Sequence, residues 1–240
     1  GSGQVVMAQG TNPRVISTFP MAVAFQQYLT DHGATALDDA IGDDLEWMGH
    51  TFYILTFPTV DATWVYDKTT GLWSEWLTWD PLNSEYTAWR PTQHVNAFGK
   101  HLVGDTQSGK VYYFDQRVST DVDGLAIRRL RRAPSLTDAN GSRVFYPRFE
   151  LVLQPGIGAN SGQGVDPQVI LYYSNDGGRT FTSAGQRTAG AQGEYQTRVF
   201  WSRMGSAIDR TFMVVVSDPV VPWCLIDAFL DARPGRARVA

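Results

Sequence analysis

The 240-residue chain has one cysteine, three lysines and no long apolar run, and each shortage excludes something. Cys224 alone cannot form an internal disulfide. Its setting, Pro222-Trp223-Cys224-Leu225-Ile226, predicts a small buried apolar residue, because no basic neighbour lowers its pKa. Folding in a reducing cytoplasm is the matching expectation. The four histidines, His32, His50, His94 and His101, are dispersed without a zincin or His-x-His spacing, and no second cysteine completes a set. We therefore expect no metal centre and no cofactor. Runs such as Phe212–Val216, stopped by Ser217-Asp218-Pro219, fall far short of the ~20 apolar residues a membrane-spanning helix needs, so no membrane partner is expected. Gly156-Ile157-Gly158 and Gly162-Gln163-Gly164 lack a P-loop lysine and read as a long loop. The opening Gly1-Ser2-Gly3 reads as a processed product or a piece of something longer.

What is present is 43% apolar residues and 12% aromatics, enough for a packed core. The net charge of -4 hides a split: residues 1–125 carry 6 Lys/Arg against 15 Asp/Glu, and residues 126–240 carry 14 against 9. That change marks a candidate domain junction. Nearly all the positive charge is arginine, the side chain suited to planar, bidentate contacts.

Periodicity separates the two parts further. Met21, Phe25, Tyr28 and Leu29 follow Pro20 at helical spacing and stop at Gly33, and a second short helix is predicted over Thr35–Ile41. Strands are then predicted at Thr51–Phe57, Thr63–Tyr66, Leu72–Leu77, His94–Phe98, His101–Gly104 and Val111–Phe114. Tyr66-Asp67-Lys68-Thr69-Thr70-Gly71-Leu72-Trp73 reads as a hairpin, with Gly71 free to take positive φ. Tyr113-Phe114-Asp115 echoes Tyr66-Asp67 at the ~40–50 residue period of propeller blades. Residues 1–125 are thus expected to form partial, propeller-like blades with short helices. They hold at most two or three blades, so any closed ring of about four to eight needs material from elsewhere. Further strands at Val144–Gln154, Gln168–Ser174, Tyr195–Ser202, Arg210–Ser217 and Leu225–Leu230 make residues 126–240 an expected antiparallel β-sandwich. The fold class is mainly β.

Four constellations invite a chemical reading. Ser174-Asn175-Asp176-Gly177-Gly178-Arg179-Thr180-Phe181 matches the Asp box, in which Ser174, Asp176 and Thr180 serve a turn, Gly178 accepts positive φ and Phe181 packs beneath. The box resembles those of sialidases, but one copy without a recognisable arginine triad favours a structural hairpin. Arg128, Arg129, Arg131 and Arg132 form the densest charge cluster. Salt bridging at an interface is preferred over phosphate contact with DNA or a solvated strand, since alternation along a strand splits the arginines between two faces. Asp38, Asp39, Asp43, Asp44 and Glu46 form an acidic patch on or near the second helix and lack calcium-loop spacing. Trp73, Trp76 and Trp79, with Trp64 and Trp89, offer interface anchors or core, and less readily a sugar platform.

Taken in order, these residues resemble a known family. His50-Thr51-Phe52-Tyr53-Ile54-Leu55-Thr56-Phe57-Pro58-Thr59, Thr63-Trp64-Val65-Tyr66-Asp67, Thr70-Gly71 and Trp73 are similar to the packaged-DNA stabilisation proteins, or tail accessory factors, of short-tailed bacteriophages. So are Pro13-Arg14-Val15-Ile16-Ser17-Thr18, Gly156-Ile157-Gly158, Gly164-Val165-Asp166-Pro167-Gln168, the Asp-box segment, Gly193-Glu194-Tyr195, Arg198-Val199-Phe200-Trp201 and Ser217-Asp218-Pro219. The resemblance implies a structural virion protein without catalysis, assembled in the host bacterial cytoplasm into the phage tail. It would form a ring homo-oligomer, commonly a hexamer, between the portal adaptor and the tail needle or tail fibres, close the portal and keep the packaged DNA from leaking. It also implies that this chain corresponds to the C-terminal part of longer members. Phe19 stands where members commonly have histidine. The alternative from another class is a glycan-binding or glycan-processing tail protein.

Overall fold

The computed structural model describes residues 3–80, 82–83, 85–115, 117–121, 124–219 and 223–235. It divides into two compact units, 1–114 and 115–240.

The first unit opens with an antiparallel pair, β1 (Val6–Gln9) and β2 (Asn12–Val15). Helix α1 (Phe19–His32) follows, with Thr18 as its extended N-cap and Pro20 in the first turn, where its missing N–H is no loss. Gly33, at φ 97°, ends it by donating its N–H to Leu29 O at 3.1 Å. The second helix does not form. Residues 34–39 turn through Ala36 N to Gly33 O (3.1 Å) and Asp38 N to Thr35 O (3.0 Å), and a strand begins at Ile41. So short a segment cannot recover the cost of helix nucleation. The acidic patch consequently lies on a turn and a strand, where Asp39 accepts from Thr59 N at 2.7 Å.

Strands β3 (Ile41–Trp47), β4 (His50–Phe57), β5 (Ala62–Asp67) and β6 (Leu72–Glu75) form a four-stranded antiparallel meander in chain order. Both of its faces are covered. Leu55, Phe57 and Ala62 pack with Met21 and Phe25 of α1, while Leu45, Ile54 and Val65 pack with Trp47, Trp76, Trp89 and Phe114. Double burial explains why β4 reads as a nearly unbroken apolar run. The predicted strand Leu72–Leu77 is divided at Trp76, whose N–H bonds to Thr63 O (3.1 Å) while its ring enters the second cluster. A pair, β7 (Leu77–Asp80) and β8 (Glu85–Ala88), precedes the three-stranded β9 (Pro91–Ala97), β10 (Lys100–Asp105) and β11 (Val111–Tyr113). β3 and β9 start 50 residues apart and end in matching two-residue turns. Met48-Gly49 and Phe98-Gly99 all have positive φ (53°, 81°, 55° and 68°), the signature of twisted hairpins.

The second unit is two facing antiparallel sheets. One joins β12 (Arg129–Arg132) and β13 (Leu136–Thr137) to β19 (Asp209–Val216), then β15 (Gln168–Ser174) and β16 (Thr182–Thr188). The other sets β14 (Val144–Leu153) between β17 (Val199–Ser202) with β18 (Ser206–Ala207) on one side and β20 (Leu225–Pro234) on the other. The core fills from both: Val169 and Leu171, opposite Val216 and Val214, meet Tyr146, Phe149, Leu151 and Trp201. The expected strand Tyr195–Ser202 begins at Val199, because Glu194 closes a turn by accepting Ala191 N at 3.0 Å. Cys224, expected buried, is exposed. Trp223 and Leu225 take the inward positions beside the core, so strand alternation turns Cys224 and Ile226 outward.

Leu171→Ala, at 0% exposure between two core strands, is expected to destabilise the sandwich unit by about 2–5 kcal/mol, read from urea unfolding.

Candidate functional site

Each residue group singled out above has a definite place. In the hairpin after β5, Asp67 accepts Thr69 N (2.9 Å), Thr70 Oγ1 (2.7 Å) and His50 Nδ1 (2.8 Å). Gly71, at φ 73°, bonds its N–H to Asp67 O at 2.8 Å. Burial opposes ionisation of Asp67, but the hydrogen bonds from Thr70, His50 and Thr69 prevail and hold its pKa at about 2, below the ordinary 3.8. Asp105 builds the same turn: Gln107 N (3.2 Å) and the Ser108 hydroxyl donate to it, and Gly109 takes φ 66°. Its cation is Arg90, whose Nε donates at 2.8 Å and whose Nη2 makes a second bond. Arg90 first, then Ser108, holds the Asp105 carboxyl well below the usual carboxylate range against a burial penalty. Sequence reasoning found the hairpin at Asp67–Gly71 but missed its counterpart at Asp105, although Asp-x-x-Thr/Ser-Gly is legible at both places.

The three tryptophans put forward as interface anchors are half-buried and make contacts inside the first unit. Trp73 donates Nε1 to Ile16 O at 2.7 Å and lies 5.0 Å from the Tyr66 ring. Trp76 packs between Phe52 (5.4 Å) and Trp89 (4.8 Å), and Trp79 sits edge-on to Tyr86 at 4.8 Å. His94 and His101, dispersed in sequence, meet at 2.9 Å, yet no group of three potential metal ligands occurs among the described residues.

The Asp box is a closed hydrogen-bond network. The Ser174 hydroxyl accepts Gly178 N (2.9 Å) and donates to Asp176 (2.6 Å), which also accepts Arg179 N (2.9 Å), Thr180 N (3.0 Å) and Thr180 Oγ1 (2.6 Å). Those hydroxyls, Ser174 foremost and then Thr180, hold the Asp176 carboxyl well below its usual range. Two arginines brace the hairpin, and neither is legible from the motif. Arg132 donates to Gly177 O at 3.2 Å and lies over Phe181, 5.4 Å from its ring centre. Arg210 is 1% exposed and donates to Asn175 Oδ1 (2.8 Å) and Met204 O (2.9 Å). Its guanidinium stacks among Tyr173 (4.5 Å), Tyr146 (4.8 Å) and Phe212 (5.6 Å), and burial draws its pKa down. The polar groups of the box are spent within the hairpin, which makes it a structural latch.

The arginine cluster is strand β12. Its register, Arg129 to Val216, Leu130 to Val215, Arg131 to Val214 and Arg132 to Met213, splits the arginines as alternation requires. Arg129 and Arg131 flank the core side, and Leu130 and Arg132 face outward with Met213 and Val215. Arg129 is drawn below its usual pKa by burial, while Arg128, Arg131 and Arg132 are exposed.

A propeller-type meander followed by a β-sandwich, with aspartates and arginines bound up in turns, defines a two-part, mainly β protein. A family model described as "Bacteriophage P22 Gp10, beta-propeller" matches residues 1–119, and one described as "Bacteriophage P22 Gp10, beta-sandwich" matches residues 129–221. The chain belongs to this Bacteriophage P22 Gp10 family, whose members are structural proteins of the phage tail hub. No curated protein matches it.

Gly178→Ala would drive a Cβ into the Arg132 guanidinium at φ 85°, and we expect a loss of about 1–3 kcal/mol in unfolding free energy. In a double-mutant cycle with Arg132→Ala the two effects should be sub-additive. Acid should weaken the first unit. The folded Asp67 pKa is depressed, so its contribution is full above about 3.8 and is lost as pH falls towards about 2. Fluorescence of the six tryptophans in residues 1–114 should report this loss, and Asp67→Asn should flatten it.

Proposed function

We propose that this protein forms part of a ring-shaped homo-oligomer, a hexamer by family likeness, that closes the portal of a short-tailed phage and retains the packaged DNA. The observation that carries this reading is the ordered match of propeller and sandwich models along one chain. The charge division supports it: an acidic first part and a basic second part suit repeated contact between copies. Arg128, Arg129, Arg131 and Arg132 are the charged contact candidates, and the half-buried rims of Trp73, Trp76 and Trp79 the aromatic ones. The portal adaptor and the tail needle or fibres are the partners on either side, with packaged DNA nearby. The chain acts by occlusion and needs no catalysis. The Asp box lends the glycan reading little support, because the side chains of Ser174, Asp176 and Thr180 bond to one another and to the turn amides.

The test is DNA retention. Heads filled in the absence of this protein should lose their genome to added nuclease, and supplying the protein should protect it. Equal leakage with and without the protein would overturn the reading. Arg128→Glu with Arg131→Glu is expected to weaken protection and its salt dependence, measured as nuclease-resistant DNA.

A further inference from the structure

In the first unit, the tips of the β3–β4 and β9–β10 hairpins are apolar and gain nothing from their own fold. Met48 and Phe98 hold the left-handed backbone (φ 53° and 55°), a conformation that suits Asn or Asp better than a bulky apolar residue, and each precedes a glycine. Burial does not repay the strain: Met48 is 64% exposed and Phe98 95%. The two hairpins lie side by side. His94, four residues before Phe98, donates Nδ1 at 3.3 Å to the carbonyl of Asp44, four residues before Met48, and the Trp47 and His101 rings are 5.3 Å apart. Both turns therefore point the same way. The turn at 68–71 lies at this end too, where Lys68 N bonds to Thr51 O at 2.7 Å, and it brings exposed Leu72 there.

A second apolar place is the outer face of the sandwich sheet made by β17, β14 and β20. The outward face of an antiparallel sheet is ordinarily polar. Here Phe200 and Phe229 stand on either side of Glu150 in one row, Phe229 is 58% exposed, and Phe145 is exposed further along β14. The charges of this row are settled internally. Glu150 is held by Arg148 at 2.9 Å and by Arg198 at 2.8 Å, and the Arg148 guanidinium lies 4.2 Å from the centre of the Phe200 ring. What the row leaves uncovered is therefore apolar.

We propose that the tips of one copy of this chain, Met48, Leu72 and Phe98, seat on Phe200 and Phe229 of the next copy. This names a contact within the ring proposed above and rests on that reading. Tips against tips would set convex on convex and bury little. Face against face would be a two-fold contact that closes on itself and leaves no ring. Tip against face is heterologous: each copy offers one of each, so the contact repeats from copy to copy around a ring. It also joins the acidic part of one chain, with 6 Lys/Arg against 15 Asp/Glu in residues 1–125, to the basic part of the next, with 14 against 9 in residues 126–240. Strained turn residues with exposed apolar side chains burden the free chain and become favourable when a neighbour covers them.

Crosslinking of the whole chain tests the contact. With Cys224→Ser removing the one native thiol, Lys100→Cys beside the tips and Asp231→Cys beside Phe229 leave every anchor in place. A short bismaleimide should join copies when the two single-cysteine chains are mixed, and should join neither chain to itself. Phe98→Asn with Met48→Asn then separates the contact from the fold, since asparagine suits both turns: the urea midpoint should hold or rise while the crosslinked yield falls about tenfold or more. No crosslink on mixing, equal crosslinking of either chain alone, or an unchanged yield in the asparagine variant overturns the proposal. So does a lower urea midpoint, which would mean that Met48 and Phe98 serve their own turns. Genome protection on filled heads without these crosslinks would sink this contact and leave portal closure standing, and crosslinks without protection would do the reverse.

Discussion

Carboxylates that close turns are what the rest of this structure depends on. A protein whose regular elements are nearly all short strands has many turn amides with no ladder partner, and each buried one must find an acceptor. Here aspartates supply it. Asp67, Asp105 and Asp176 each gather two or more backbone N–H or hydroxyl donors from the next four residues. Asp80, Asp115 and Asp138 accept turn amides in the same way, from Leu82, Arg117 and Asn140. Of the 15 acidic residues in the first 125, Asp67, Asp80, Asp105 and Asp115 are thus committed to turns.

Aromatic rings do the corresponding work for the first unit's sheet. The β3–β6 meander is clamped by α1 through Phe25, which lies 5.3 Å from Phe57 and 6.3 Å from Trp64. Its other face is clamped by Trp47, Trp76 and Trp89. The tryptophan-rich segment packs against its own unit.

Arginine divides between the same two tasks. Arg90, Arg132 and Arg210 brace turns, and Arg198 holds Glu150 with bonds of 2.8 and 3.0 Å beside Arg148. The planar, multi-donor guanidinium suits this bracing, which lysine could not reproduce. The cluster at 128–132 looks uniform in sequence, yet its members have different duties once β12 is laid along β19.

By itself the sequence determined the class and the local punctuation: a mainly β chain, the helix after Pro20, the hairpin at Asp67–Gly71 and the Asp box. Spacing, glycine and short polar side chains act within a few residues, so these are visible without a fold. It also carried the family resemblance, spread over both parts. Tertiary structure alone decided that 34–39 turns instead of coiling, that Cys224 faces solvent and that Arg210 lies buried beside Asn175, 35 residues away. These outcomes depend on which strand becomes whose neighbour, a choice made by burying both faces of one sheet and closing a sandwich core, and no short window of sequence contains it.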